Sequence, residues 1–128
     1  MTIRTGTVAR RRALFDEASE IIEQEYAHPI ELDDVARRLA TSRRQLQRAF
    51  AEAGATSFRT HEAKVRMRRA LELLREGSLP VRDVANSVGY RQPAQFAKTF
   101  RRHHGAPPSS FRGAQPEAPN GRVSPTLR

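Results

Sequence analysis

The 128-residue sequence predicts an all-α fold of about seven helices. Three observations predict it. Apolar residues recur at three- and four-residue steps from Leu14 to Phe100, the period of a helix with one buried face. No stretch alternates apolar and polar residues with the period of two that a half-buried strand needs. Gly and Pro then punctuate the pattern at helical lengths, at Pro29, Gly54, Gly77, Gly89 and Gly105.

Each element can be justified in turn. Leu14, Ala18, Ile21, Ile22 and Tyr26 form the apolar stripe of a first amphipathic helix that ends before His28-Pro29. Leu32, Val35, Ala36 and Leu39 make a short second helix, with Glu31, Asp33 and Asp34 in its first turn, where the helix dipole favours acids. Ala40-Thr41-Ser42 interrupts the period, and Ser42 is a good N-cap for a third helix running to about Ala53 and stopping at Gly54. Ala63, Met67, Ala70, Leu71 and Leu74 mark a long fourth helix closed by Gly77. Val81, Val84, Ala85 and Val88 make a short fifth, and Phe96 and Phe100 anchor a sixth that ends at Gly105. Pro107-Pro108-Ser109-Ser110 opens a final short turn holding Phe111.

The chain contains an internal repeat. Leu32-x-x-Val35-Ala36-x-x-Leu39 has the spacing of Val81-x-x-Val84-Ala85-x-x-Val88, a shift of 49. Beyond each turn an apolar pair follows four residues apart, Leu46/Phe50 and Phe96/Phe100, now shifted by 50. A Gly follows each second helix, Gly54 and Gly105. Two short helices joined by a tight turn, the second apolar behind and polar in front, are the helix-turn-helix pattern. Two copies in register are far stronger evidence than one. The expected organisation is a frayed N-terminus (1–7), a first module (8–54), a connecting helix (55–77), a second module (78–112) and a flexible Pro/Gly-rich tail (113–128).

Composition narrows the chemistry. The chain has no cysteine, which excludes disulfides, thiolate nucleophiles and Cys-ligated zinc. No apolar run reaches membrane-spanning length and no secretory h-region is present, so a cytoplasmic, nucleoid-associated protein is expected. His28, His61, His103 and His104 do not converge by spacing, and no P-loop or dinucleotide-type glycine pattern occurs. No catalytic residue, metal site or cofactor is therefore expected. The net charge of +9 points to a polyanion, and its distribution says more. Ala13 to Ala36 holds eight acids and no Lys or Arg, Arg37 to Arg48 holds five arginines and no acid, and Val84 to Pro116 is acid-free.

In SRRQLQRAF, residues 42–50, Leu46 and Phe50 share one helix face, while Arg44, Gln47 and Arg48 fall largely on another. Arg donates bidentately to guanine O6/N7 and Gln bridges adenine N6/N7, so these three are the expected base readers of the first module. Arg43 is better placed for a phosphate, and Ser42 can offer its hydroxyl and backbone N–H to one. In the second module Gln95 is the leading base reader and Lys98 touches base or backbone. Gln92, Arg101 and Arg102 are expected phosphate ligands. The connecting helix, from about Phe58 to Glu76, spans roughly 28 Å at ~1.5 Å per residue. Successive major-groove faces lie ~34 Å apart on one side of B-DNA.

At this point the sequence resembles the DNA-binding region of AraC/XylS-type bacterial transcription regulators. The resemblance covers about residues 8 to 112. It rests on Leu32 to Leu39 with SRRQLQRAF, on VRMRRALELL, on VRDVANSVGY, and on Phe96-x-x-x-Phe100-x-x-x-x-Gly105-x-x-Pro108-x-x-Phe111-Arg112. It implies two helix-turn-helix modules on a central helix, each setting a helix into the major groove, with no enzymatic activity. The implied base readers are Arg44, Gln47 and Arg48, then the Pro93–Lys98 stretch, chiefly Gln95. It also implies a likeness to short stand-alone members, which act as monomers on asymmetric double-stranded DNA sites; activation would in addition need a surface for RNA polymerase. Ala40 stands where such proteins frequently have Gly, and Pro93 and Ala94 stand where they frequently have polar residues. The competing expectation is a basic helical module for RNA or an acidic protein partner.

Overall fold

The computed structural model describes the backbone of residues 2–113 and side chains from residue 6 to residue 113. The described residues are all-helical: α1 (Thr2–Glu25), α2 (Leu32–Arg38), α3 (Arg43–Gly54), α4 (Phe58–Glu76), α5 (Val81–Ser87), α6 (Pro93–His104) and a closing 3-10 turn (Pro108–Phe111). They divide into two compact units, with the boundary inside α4 between Val65 and Arg66. α1 begins at Thr2, within the stretch expected to fray; no proline interrupts it before Leu14. The expected tail lies outside the described residues apart from Gly113.

The first unit is built on the predicted stripes. Leu14, Ala18 and Ile22 of α1 are buried together with Val35 and Ala36 of α2, Leu46, Ala49 and Phe50 of α3, and Phe58 and Val65 of α4. Phe50 is the hub. Its ring meets Phe15 at 5.1 Å, Phe58 at 5.6 Å and His61 at 5.8 Å, all edge-to-face, the geometry that aromatic quadrupoles favour. α1 packs chiefly on α3.

The second unit buries Met67, Ala70 and Leu74 of α4, Val84, Ala85 and Val88 around α5, and Phe96 and Phe100 of α6. Phe100 packs on Phe96, His104 and Phe111 with ring centroids 5.7, 4.4 and 5.6 Å away. The predicted closing turn brings Phe111 there. Backbone and side-chain bonds then tie it down: Gly113 N–H to the Leu74 carbonyl at 2.8 Å and Arg112 Nε to the Leu79 carbonyl at 3.1 Å. His104 Nε2 donates to the Met67 carbonyl at 3.0 Å.

Candidate DNA-contacting helices

The two helix-turn-helix turns are hydrogen-bonded alike. In the first, Ala40 N–H reaches the Arg37 carbonyl at 3.1 Å and Thr41 N–H the Ala36 carbonyl at 2.9 Å. In the second, Gly89 N–H reaches Asn86 at 3.1 Å and Tyr90 N–H reaches Ala85 at 2.9 Å. Each pair is a Schellman closure, which needs one left-handed residue. Ala40 supplies it at φ 56° and Gly89 at φ 95°. The alanine therefore adopts the tight turn despite its Cβ, at a steric cost of roughly 1–2 kcal/mol that glycine avoids.

α3 starts as its sequence requires. Ser42 is extended at φ −90°, ψ 158°, and its Oγ accepts from the Gln45 N–H at 3.1 Å, a standard N-cap. Its far end corrects one expectation. Gly54 does not stop the helix; it is the last helical residue, and the left-handed cap is Ala55 at φ 53°. Gly54 is explained by packing instead, since a Cβ there would come 2.6 Å from Cζ of Phe15. The counterpart of Gly105 (φ 82°) is thus Ala55, again shifted by 50. α6 opens with Pro93 at its first position, which is preset for a helix start.

Leu46 and Phe50 face the interior of the first unit, and Arg44, Gln47 and Arg48 are exposed on the opposite side. Neither Arg44 nor Arg48 has an ion-pair partner among the described residues. Arg43 and Ser42 are exposed beside them, but Arg43 is engaged, its Nη1 2.9 Å from Asp33 Oδ1. In the second unit Phe96 and Phe100 face inward, and Gln92, Gln95, Lys98, Arg101 and Arg102 are exposed. The Gln95 amide leans back onto Thr99 Oγ1 at 3.4 Å. Lys98, Arg101 and Arg102 have no ion-pair partner among the described residues.

Some neighbours were not singled out by the sequence. Gln45 is exposed on α3 at the position that corresponds, by the shift of 50, to Gln95; applying the repeat to Gln95 would have found it. Arg91 is exposed just before α6. The ends of the two helices also differ. α3 has no basic residue in its last turn, and α1 supplies the cations: Arg11 pairs with Glu52, and Arg12 Nη1 donates to the Ala53 carbonyl at 3.1 Å. α6 carries its own, Arg101, Arg102, His103 and His104, where the dipole favours positive charge.

The acids of α1 and α2 are largely spoken for. Asp34 accepts from Arg37 at 2.5 Å, and Glu25 takes a two-pronged bond from Arg38 at 2.7 and 2.8 Å. The Arg38 hydrogen bond, with its charge, holds the Glu25 carboxyl below the ordinary carboxylate range. Among the described residues, no group of three or more His, Asp or Glu is arranged to hold a metal ion, and no helix is long and apolar enough to cross a membrane.

Known proteins share this arrangement. The helix-turn-helix domain family model matches residues 35–114. The regulator GbdR of Pseudomonas aeruginosa is 34% identical over 96 residues, covering 75% of this chain and 26% of that protein. The Msm operon regulatory protein of Streptococcus mutans is 31% identical over 101 residues, covering 79% and 36%. The chain thus spans about a third of the length of these curated relatives, or less. Among solved structures, an AraC-type DNA-binding-domain regulator from Chromobacterium violaceum superposes with a TM-score of 0.78 at 29% identity, covering 84% of this chain and 98% of that one. The DNA-binding domain of AdpA, solved with a target DNA, shares the fold at a TM-score of 0.74 and 24% identity, covering 81% and 97%. With both helix-turn-helix modules in place and the family model matched across most of the chain, the protein belongs to the helix-turn-helix family and carries an AraC-type DNA-binding region.

Proposed function

We propose that the chain is a sequence-specific double-stranded DNA-binding transcription regulator that sets α3 and α6 into successive major-groove segments of one duplex. The observation that carries this is the duplicated head: two identically bonded turns, each followed by a helix with a buried apolar back and an exposed front rich in Arg, Lys and Gln. That front suits base edges and phosphates together.

In this reading Arg44, Gln47 and Arg48 read bases from the first head, with Gln95 and Lys98 from the second. Ser42, Arg43, Gln92, Arg101 and Arg102 hold phosphates. Pro93 and Ala94 offer no hydrogen bonds from side chains, so the second head reads fewer bases and positions more. One chain engages one site as a monomer, in the cytoplasm and on the nucleoid. It carries out no catalysis, acts as activator or repressor, and as an activator would contact RNA polymerase.

A gel-shift comparison at fixed salt tests the class of partner, using a random-sequence duplex, a selected duplex and single-stranded RNA. Tightest binding to the selected duplex, with a log–log salt slope near −0.9 for each phosphate neutralised, supports the proposal. Preference for the RNA, or no difference between the two duplexes, overturns it.

A further inference from the structure

The ion pair between Arg43 and Asp33 is not demanded by the helix-turn-helix fold. It joins two exposed side chains, 60% and 62% accessible, across the turn from α3 to α2. The second head builds the same turn with neither partner. By the shifts of 49 and 50, Arg82 stands where Asp33 does and Pro93 where Arg43 does. The same backbone bonds thus close the turn in the second head without such a pair.

The surroundings of the first head's pair indicate its role. Arg43 lines a cleft of about 310 Å³ beside the exposed face of α3, together with Gln47, Ala51, Ser57 and Arg59. Both cations of that cleft are occupied by acids: Arg43 by Asp33 near the start of α2, and Arg59 by Glu31, just before α2, at 3.4 Å and by Glu62 of its own helix at 3.3 Å. Glu31 makes no capping bond to its own helix. Arg44 and Arg48, one and five residues beyond Arg43, are left without ion pairs among the described residues. The acids thus neutralise the cations flanking the reading face and spare those on it.

We infer that Asp33 sets the DNA affinity of the first head by occupying Arg43, which engages a phosphate only by exchanging one anion for another. This rests on the DNA-binding role proposed above. An exposed pair is weak and exchanges readily, so it works as an attenuator and not as a lock. It lowers sequence-independent grip at the first head and leaves discrimination to Arg44, Gln47 and Arg48. The second head has no such brake: Arg82 stands in the place of Asp33, and Asp83, the acid of α5, makes no ion pair with α6 among the described residues.

The test is a double-mutant cycle with Asp33→Asn and Arg43→Gln, each protein first checked for an unchanged thermal melt. Affinity is measured on one random-sequence duplex over a salt series. D33N should bind about two- to five-fold more tightly at low salt, the range of an exposed ion pair, with a steeper salt slope. The gain should vanish in the R43Q background. Unchanged affinity in D33N overturns the inference. So does a gain that survives in full beside R43Q, which would assign the effect to direct repulsion between Asp33 and phosphate. Failure of the unsubstituted chain to bind any duplex would instead remove the proposed function itself.

Discussion

The two heads share a turn and differ in almost everything that surrounds it. The first closes on Ala40 and Ala55, the second on Gly89 and Gly105. The first helix end borrows Arg11 and Arg12 from α1, while the second is basic in its own last turn. Around the first reading helix the flanking cations are matched by acids, with Arg37, Arg43 and Arg59 on Asp34, Asp33 and Glu31. Around the second, Lys98, Arg101 and Arg102 are unmatched among the described residues. On the roles proposed above, one motif is tuned toward discrimination or toward electrostatic grip by what is placed beside it, without changing its hydrogen bonds.

The largest expected effect tests whether the heads are separate cores. Phe50 and Phe100 are both fully buried hubs, one in each unit. Phe50→Ala and Phe100→Ala should each cost about 3–5 kcal/mol through lost contacts and a cavity, measured by urea unfolding. Hydrogen exchange should show loss of protection confined mainly to the unit that carries the substitution. Equal loosening of both units by either variant would merge the two regions into one.

A division of labour predicts contrasting binding losses. Arg44→Ala should cost ~1–3 kcal/mol on a selected duplex, relax one base position, and hardly change binding to random sequence. Arg102→Ala should weaken all sequences alike and flatten the salt slope by about 0.9, one phosphate's worth. Competition gel shifts over a salt series separate the two. Equal loss on selected and random DNA from Arg44→Ala would remove its role as a base reader.

The turns sharpen the comparison at a smaller scale. Gly89→Ala should destabilise by roughly 1–2 kcal/mol, because it imposes the left-handed strain that Ala40 already carries. Ala40→Gly should stabilise by about 0.5–1 kcal/mol, the relieved strain being partly offset by a floppier unfolded chain. Thermal melts decide, and the sign of the second change is the informative part. A destabilised Ala40→Gly protein would mean the alanine methyl packs usefully enough to outweigh its backbone strain.

The smallest effect concerns pH and only the first unit. Glu25 has its proton affinity lowered by Arg38 in the folded state. The unfolded state therefore binds more protons through the carboxylate range, and the stabilisation is present at neutral pH and lost as pH falls through the folded-state value. Arg38→Gln should lower stability slightly at pH 7, and the gap to the unsubstituted protein should close on acidification below about pH 5. A gap that stays constant with pH would show that Arg38 acts through packing alone.

Periodicity made the helices legible, and the repeat made the heads legible. Val35/Ala36 against Val84/Ala85, and Leu46/Phe50 against Phe96/Phe100, carry the fold in their spacing because a buried face must recur with the helix period. The exposure of Arg44, Gln47 and Arg48 followed from the same arithmetic. What was not legible depends on contacts across the chain. Gly54 looked like a helix stop, yet its lack of a side chain answers to the Phe15 ring, 39 residues earlier. The reach of Arg12 to the Ala53 carbonyl likewise has no periodic signature. Nor does that of Arg43 to Asp33, which places an expected phosphate ligand on a carboxylate. Gln45 lies off the Arg44–Gln47–Arg48 face, and only the repeat, through Gln95, points to it.

The most direct test of the central claim is a hydroxyl-radical and methylation-protection footprint of the full chain on its selected duplex, repeated with Arg44→Ala and with Lys98→Ala. Two heads on one duplex predict two protected major-groove segments about 10 base pairs apart, with Arg44→Ala weakening protection in one and Lys98→Ala in the other. Protection confined to a single segment, or a segment that responds to neither substitution, would contradict the account.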